Sequence, residues 1–134
     1  MRIRRLLKEE KGSQLIEFVL VFPLIWVLLV FTMDFFTIMY NKQIAMAAAF
    51  EAGRIASVQP NFGLARYYAE SRAEDELDQA IGLDSKFVQL VPGRYWRKGE
   101  HIEARISIRV NLLASQKPYE INESYFVMVE NAGD

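Results

Sequence analysis

Lys11-Gly12-Ser13-Gln14-Leu15-Ile16-Glu17-Phe18 opens the stretch around which the rest of the chain is arranged. From Leu15 to Met33 only Glu17, Pro23 and Thr32 interrupt aliphatic, aromatic and methionine side chains. That length is close to the ~20 residues a helix needs to cross a bilayer, so a transmembrane segment is expected over about residues 15–36. One carboxylate, Glu17, stands at the edge of the apolar run, five residues after Gly12. A plain anchor needs no such group.

Charge sets the expected direction of crossing. Residues 1–12 carry Arg2, Arg4, Arg5, Lys8 and Lys11 against Glu9 and Glu10, a net +3, while the remainder sums to −4. Basic residues clustered before the apolar run place the N-terminus in the cytoplasm and the C-terminal part outside. A cleaved secretory signal has a similar outline, but its small-residue cleavage site should follow the apolar core. Here Asp34-Phe35-Phe36-Thr37-Ile38-Met39-Tyr40 follows instead, and the alanines near position 45 sit in what reads as continuing helix. The chain has no cysteine, which excludes disulfides and thiolate metal sites.

Three parts are expected: a basic cytoplasmic leader over 1–12, a long N-terminal helix over 13–57, and an extracytoplasmic domain over 58–134. The helix has one strong breaker, Pro23, which invites a kink that a lipid-embedded helix tolerates. At 1.5 Å per residue it would be roughly 65 Å long, so its second half must protrude from the membrane. In that half Ile44, Ala45, Ala48, Ala52, Ile55 and Ala56 form a mainly small-residue stripe, suited to close approach of another helix. After Gln59-Pro60-Asn61-Phe62-Gly63, an acidic helix is expected over Leu64–Ile81, stopped by Gly82, with Leu64, Tyr67, Tyr68, Leu77, Ala80 and Ile81 as its apolar contacts. The periodicity then changes to two. A short strand near Phe87–Val91 precedes the turn signal Pro92-Gly93, and His101–Leu112 alternates cleanly, with Ile102, Ala104, Ile106, Ile108, Val110 and Leu112 on one face. A last strand is expected from about Tyr119 to Glu130, then a frayed tail over Asn131–Asp134. The sum is an α+β chain: a long transmembrane helix continuing into a small domain with a second helix and an antiparallel sheet of about three strands.

The run Gly12-Ser13-Gln14-Leu15-Ile16-Glu17-Phe18 resembles the class III signal of type IV pilin-like proteins. In that family a membrane aspartic peptidase cuts after the glycine, leaving a glutamate at the fifth mature position; counted from Ser13, Glu17 is fifth and Phe18 sixth. Glu17-Phe18-Val19-Leu20-Val21-Phe22-Pro23-Leu24, Asp34-Phe35 and Phe50-Glu51-Ala52-Gly53-Arg54 look more specifically like the TadE/TadF-like minor pilins, or pseudopilins, of tight-adherence (Tad) pili. The resemblance covers roughly residues 11–57. It implies a pilin-like fold, placement in the bacterial inner membrane, and three kinds of partner: other pilins, the prepilin peptidase and the inner-membrane assembly platform. It also implies cleavage between Gly12 and Ser13 and an assembly role for Glu17 and Phe18. Physically, a carboxylate at the membrane edge is costly unless paired, and the cut would create an amino group at Ser13 within its reach. On the residues alone, Glu17 equally suits an interfacial carboxylate favoured by the helix dipole.

The other candidates have ordinary explanations. Asp34 marks an expected outer membrane boundary, His101 lacks convergent partners, and Glu70, Glu74, Asp75, Glu76 and Asp78 lack calcium-loop spacing. Arg94-Tyr95-Trp96-Arg97-Lys98 reads as a hairpin loop with one packed aromatic. No nucleotide-binding, nucleophile-elbow or nucleic-acid-binding pattern occurs, so neither an enzyme nor a cofactor is expected. The expected function is a processed minor pilin that assembles or primes a Tad-type (type IVc) pilus for surface adhesion. The alternative is an uncleaved single-pass membrane protein whose outer domain is an accessory subunit of an envelope complex.

Overall fold

The computed structural model describes the backbone of residues 2–133 and the side chains of residues 11–133. The side chains of Arg2, Arg4, Arg5 and Lys8 therefore lie outside the described residues.

Helix α1 (Arg2–Ser57) is 56 residues long, roughly 84 Å at 1.5 Å per residue. It begins well before the expected Ser13 and runs through Gly12 and Pro23 as continuous α-helix. One interior glycine costs only ~1 kcal/mol, and the leader around it is Arg, Leu, Lys and Glu, all good helix formers. Helix α2 (Phe62–Leu77) starts at Asn61, whose side-chain oxygen accepts the Leu64 amide hydrogen at 2.9 Å. It ends at Leu77 rather than Ile81, with the Asp78 amide closing on the Glu74 carbonyl. Gly82 is thus not the helix stop. Its φ of +69° opens the sheet instead: its carbonyl accepts the Asn111 amide at 2.7 Å, and a Cβ there would press into the Asn111 carbonyl oxygen.

Strands β1 (Leu83–Val91), β2 (His101–Asn111) and β3 (Pro118–Met128) form one antiparallel sheet in the order β1-β2-β3. The alternation of β2 holds throughout, with Ile102, Ala104, Ile106, Ile108 and Val110 each at most 1% exposed. Val88 lies opposite Ile106, and Ile121 opposite Ile108, so all three strands turn one face to the helices. The last strand stops at Met128 because the backbone then turns to close the far end of α1. The Ser57 carbonyl accepts both the Glu130 and Asn131 amides, and the Pro60 carbonyl accepts that of Gly133. Asn131–Gly133 is therefore tied down, against the expected fraying; Asp134 lies outside the described residues.

The expected stripe on α1 does receive a helix, and the helix is α2. Ala45, Ala48, Ala49, Ala52 and Ala56 are buried with Ala65, Ala69, Ala73 and Leu77 in one core over the sheet. Of the residues expected to pack α2, Leu77 is fully buried and Ala80 lies against the core, but Leu64 at 40%, Tyr67 at 67% and Tyr68 at 47% are exposed. The helices meet through methyl groups at i, i+4 spacing, which permits a closer approach than Leu or Tyr would. Gly53 continues the theme beside β3, where a Cβ would come within 2.7 Å of the Tyr125 ring.

A larger side chain on this seam has nowhere to go. Ala69→Leu should destabilise the full chain by about 1–3 kcal/mol through overpacking, whereas Tyr67→Leu on the exposed flank should change it by less than about 0.5 kcal/mol. Thermal unfolding in detergent, followed by near-UV circular dichroism, distinguishes the two.

Candidate functional site

Two segments of α1 differ in what surrounds them. Along the first, from Leu15 to Met33, the side chains stay uncovered: Leu20 is 71% exposed, Leu24 69% and Trp26 60%. This stretch is long and apolar enough to cross a membrane, and none of it is buried inside the molecule. Gly12, Ser13 and Glu17 are exposed at its start, and Phe18 packs on Phe22 with ring centres 5.8 Å apart. At Gly12 a Cβ would meet nothing within 4 Å, so its backbone is open on the outside of the helix.

The second segment begins at Asp34, where the domain first grips the helix. Asp34 Oδ1 accepts the amide hydrogens of Ala114 at 3.0 Å and Ser115 at 3.2 Å, in the loop between β2 and β3. One turn on, Thr37 is fully buried and its hydroxyl donates to the Met33 carbonyl. One turn further, fully buried Asn41 accepts the Ile81 amide and donates to the Ile81 carbonyl, both at 2.8 Å. A single side chain thus satisfies both backbone polar groups of one residue at the α2–β1 turn. Residues 34, 37 and 41 recur at the spacing of one helix face and run directly into Ala45, Ala48 and Ala52. Sequence reasoning gave Asp34 a boundary role and did not single out Thr37 or Asn41; that spacing was the available signal.

The remaining candidates sit apart from this line. Trp96 is the packed aromatic of its loop, donating to the Gln59 carbonyl at 3.0 Å and lying against Phe62. Lys86, on the sheet edge, reaches the C-terminal end of α2 and pairs with Asp78 at 2.6 Å; that carboxylate holds its ammonium above the ordinary lysine range. The outer sheet face carries a shallow concavity of about 410 Å³ between Phe87, Gln89, Arg105, Ser107 and Asn122. Its charges are satisfied internally: Arg105 pairs with Glu103 at 2.8 Å and holds that carboxyl below its usual range. His101 is exposed at the start of β2, and among the described residues no group of three or more His, Cys, Asp or Glu side chains gathers where a metal could bind.

Against known proteins, residues 12–54 match the family model of TadE-like proteins. This segment is TadE-like. The match bears out the resemblance read at Gly12–Phe18, and the Tad-pilus association it suggests fits a helix long and apolar enough to cross a membrane. It starts at the glycine of the expected cut and ends at Arg54, three residues short of the end of α1. The TadE-like segment therefore contains the uncovered apolar run and the polar and alanine stripe as far as Ala52, and stops before Ala56, α2 and the sheet. No curated protein and no solved structure matches the chain.

The two polar anchors on the TadE-like helix are separable by experiment. Asn41→Ala leaves both part-buried Ile81 backbone groups without their side-chain partner and should cost about 2–4 kcal/mol, at ~1–2 kcal/mol for each group, the lower part of the range for a lost partner because water can reach them in part; denaturant unfolding measures it. Asp34→Ala should raise amide hydrogen exchange at Ala114 and Ser115 by roughly an order of magnitude, leaving the β2 core protected. Asp34→Asn keeps an acceptor oxygen and should restore most of the protection.

Proposed function

We propose that the chain is a minor pilin, or pseudopilin, of a Tad-type pilus. It is held in the bacterial inner membrane by its N-terminal helix, cut between Gly12 and Ser13 by the prepilin peptidase, and joined to other pilins during assembly or priming. The observation that carries this reading is the division of α1. The TadE-like segment keeps a continuous apolar surface from Leu15 to Met33 that its own domain leaves largely bare, the β2–β3 loop reaching over only its outer end, and the domain's hydrogen bonds to the helix begin at Asp34. A free surface of that length suits lipid first and neighbouring pilin helices afterwards.

In this scheme the basic leader stays in the cytoplasm and the domain faces outward. Pro23 bends the spanning segment where the Val19 carbonyl loses its usual amide donor. Cleavage gives Ser13 an α-amino group, and Glu17, one helical turn away, meets it within the same subunit or across a helix contact. Phe18 supplies apolar contact beside that pair. The exported domain of α2 and three strands supports a minor role over that of a bulk fibre subunit, because it adds width that a thin helical fibre does not need. The assembly platform and the other pilins are the partners.

One feature of the backbone favours the alternative, an uncleaved single-pass subunit of an envelope complex: Gly12 and Ser13 are helical, and a peptidase must first unwind them. Glycine lowers that barrier, since it disfavours helix by ~1 kcal/mol relative to alanine.

Intact-mass measurement of the chain expressed with and without a prepilin peptidase decides between them. Loss of residues 1–12 is expected with the peptidase, and a mature chain that still begins at Met1 would falsify the processing step. Glu17→Ala should leave membrane insertion unchanged and lower pilus assembly at least tenfold, the effect of ~1.4 kcal/mol or more in a lost buried pair. Normal piliation in that variant would remove Glu17 from the mechanism.

A further inference from the structure

At the point where the domain meets the helix, the β2–β3 loop overhangs the uncovered surface and leaves a notch of about 440 Å³. Its floor is the outer end of the apolar run, Trp26, Val27, Val30 and Phe31; its roof is Leu112, Ser115 and Lys117. From the geometry we infer that this notch holds one anionic phospholipid of the outer leaflet, with an acyl chain along the floor and the phosphate at Lys117. The inference rests on the membrane placement proposed above.

Three observations fit that occupant. The floor is continuous with the lipid-facing surface, and Trp26 to Asp34 covers about 12 Å of helix, from acyl-chain depth to the headgroup boundary. The roof changes character over the same distance: Leu112 is buried, Leu113 is 41% exposed at the loop tip, and Lys117 is exposed at the rim. An apolar slot ending in a cation is the pattern a phospholipid presents in reverse. The loop is also held in shape, by the Asp34 carboxylate from below, by the bond from the Leu112 amide to the Lys117 carbonyl at 3.0 Å, and by Gln116 in the left-handed region at φ +57°. Asp34 lines the notch as well and keeps its negative charge, with Oδ1 turned to the Ala114 and Ser115 amides, so the phosphate is placed on the Lys117 side of the notch, away from that carboxylate.

The chain has two tryptophans, and Trp96 lies in the loop bonded to Gln59, at the end of the domain away from Asp34. A full-length Trp96→Phe protein therefore reports on Trp26 alone. It would be reconstituted into phosphatidylcholine vesicles doped with acyl-chain-brominated phosphatidylglycerol or brominated phosphatidylcholine, and Trp26 quenching compared. Association is expected to favour phosphatidylglycerol about fivefold, the factor one lysine provides at an anionic surface. Lys117→Gln should bring the ratio to about one, and Lys117→Arg should keep it. Equal quenching by both lipids in the parent, or an unchanged ratio in Lys117→Gln, overturns the lipid site and leaves the membrane placement standing. Absence of quenching by either lipid overturns both. Position 117 is exposed and contributes only backbone groups to the loop, its amide to the Ser115 hydroxyl oxygen and its carbonyl to the Leu112 amide, so the substitutions leave the fold intact.

Discussion

Close approach of small side chains along one face of α1 is the constraint on which the rest of the molecule depends. Ala45, Ala48, Ala52 and Ala56 present a flat seam, and α2 answers with Ala65, Ala69 and Ala73. Alanine contributes little transfer free energy, so the seam itself stabilises modestly. What it provides is proximity, which lets the sheet reach across both helices and bury Ile102, Ile106, Ile108 and Val110 against them. Large residues at those alanines would hold the helices apart and leave the β2 row short of partners.

The same face of the helix changes chemistry toward the membrane without changing its period. Below Ala45 the inward positions become Asn41, Thr37 and Asp34, and packing gives way to hydrogen bonds. Each long-range anchor satisfies backbone groups in a turn that has no strand or helix partner of its own. The domain is thereby fixed to the helix at both ends, by Asp34 and Asn41 near the apolar run and by the Ser57 and Pro60 carbonyls at the far end. Helix and domain are thus joined by hydrogen bonds and packing along the helix from Asp34 to Ser57.

The TadE-like match follows this division closely. It covers the bare apolar surface and the inward stripe as far as Ala52, which any partner helix and any small domain packed on α1 must meet. It omits α2 and the sheet, whose requirement is only to cover that stripe and to carry whatever outward surface the protein needs. The outer sheet face, with exposed Phe87 and Phe126 around an internally paired Glu103 and Arg105, is such a surface.

Order, type and count of the elements were legible in the residues, because each rests on a local period: the apolar run of 15–33, the alternation of 101–112, the breaks at Pro60 and Pro92. The signal around Gly12 and Glu17 was legible for the same reason, as a short motif at the edge of that run. Side-chain size misled on α2, where Tyr67 and Tyr68 carry far more apolar area than alanine yet face outward, since closeness of the two helices and not side-chain size decided the buried face. It also gave no account of Asp34, Asn41 or the C-terminal tail. Their partners lie 80, 40 and 73 residues away along the chain, and no local period encodes a hydrogen bond across that distance. The sequence by itself determined which stretch must leave water and which face of each element is apolar. Only the tertiary structure decided where the domain takes hold of the helix, because that depends on backbone groups whose need for a partner arises once the loops have folded.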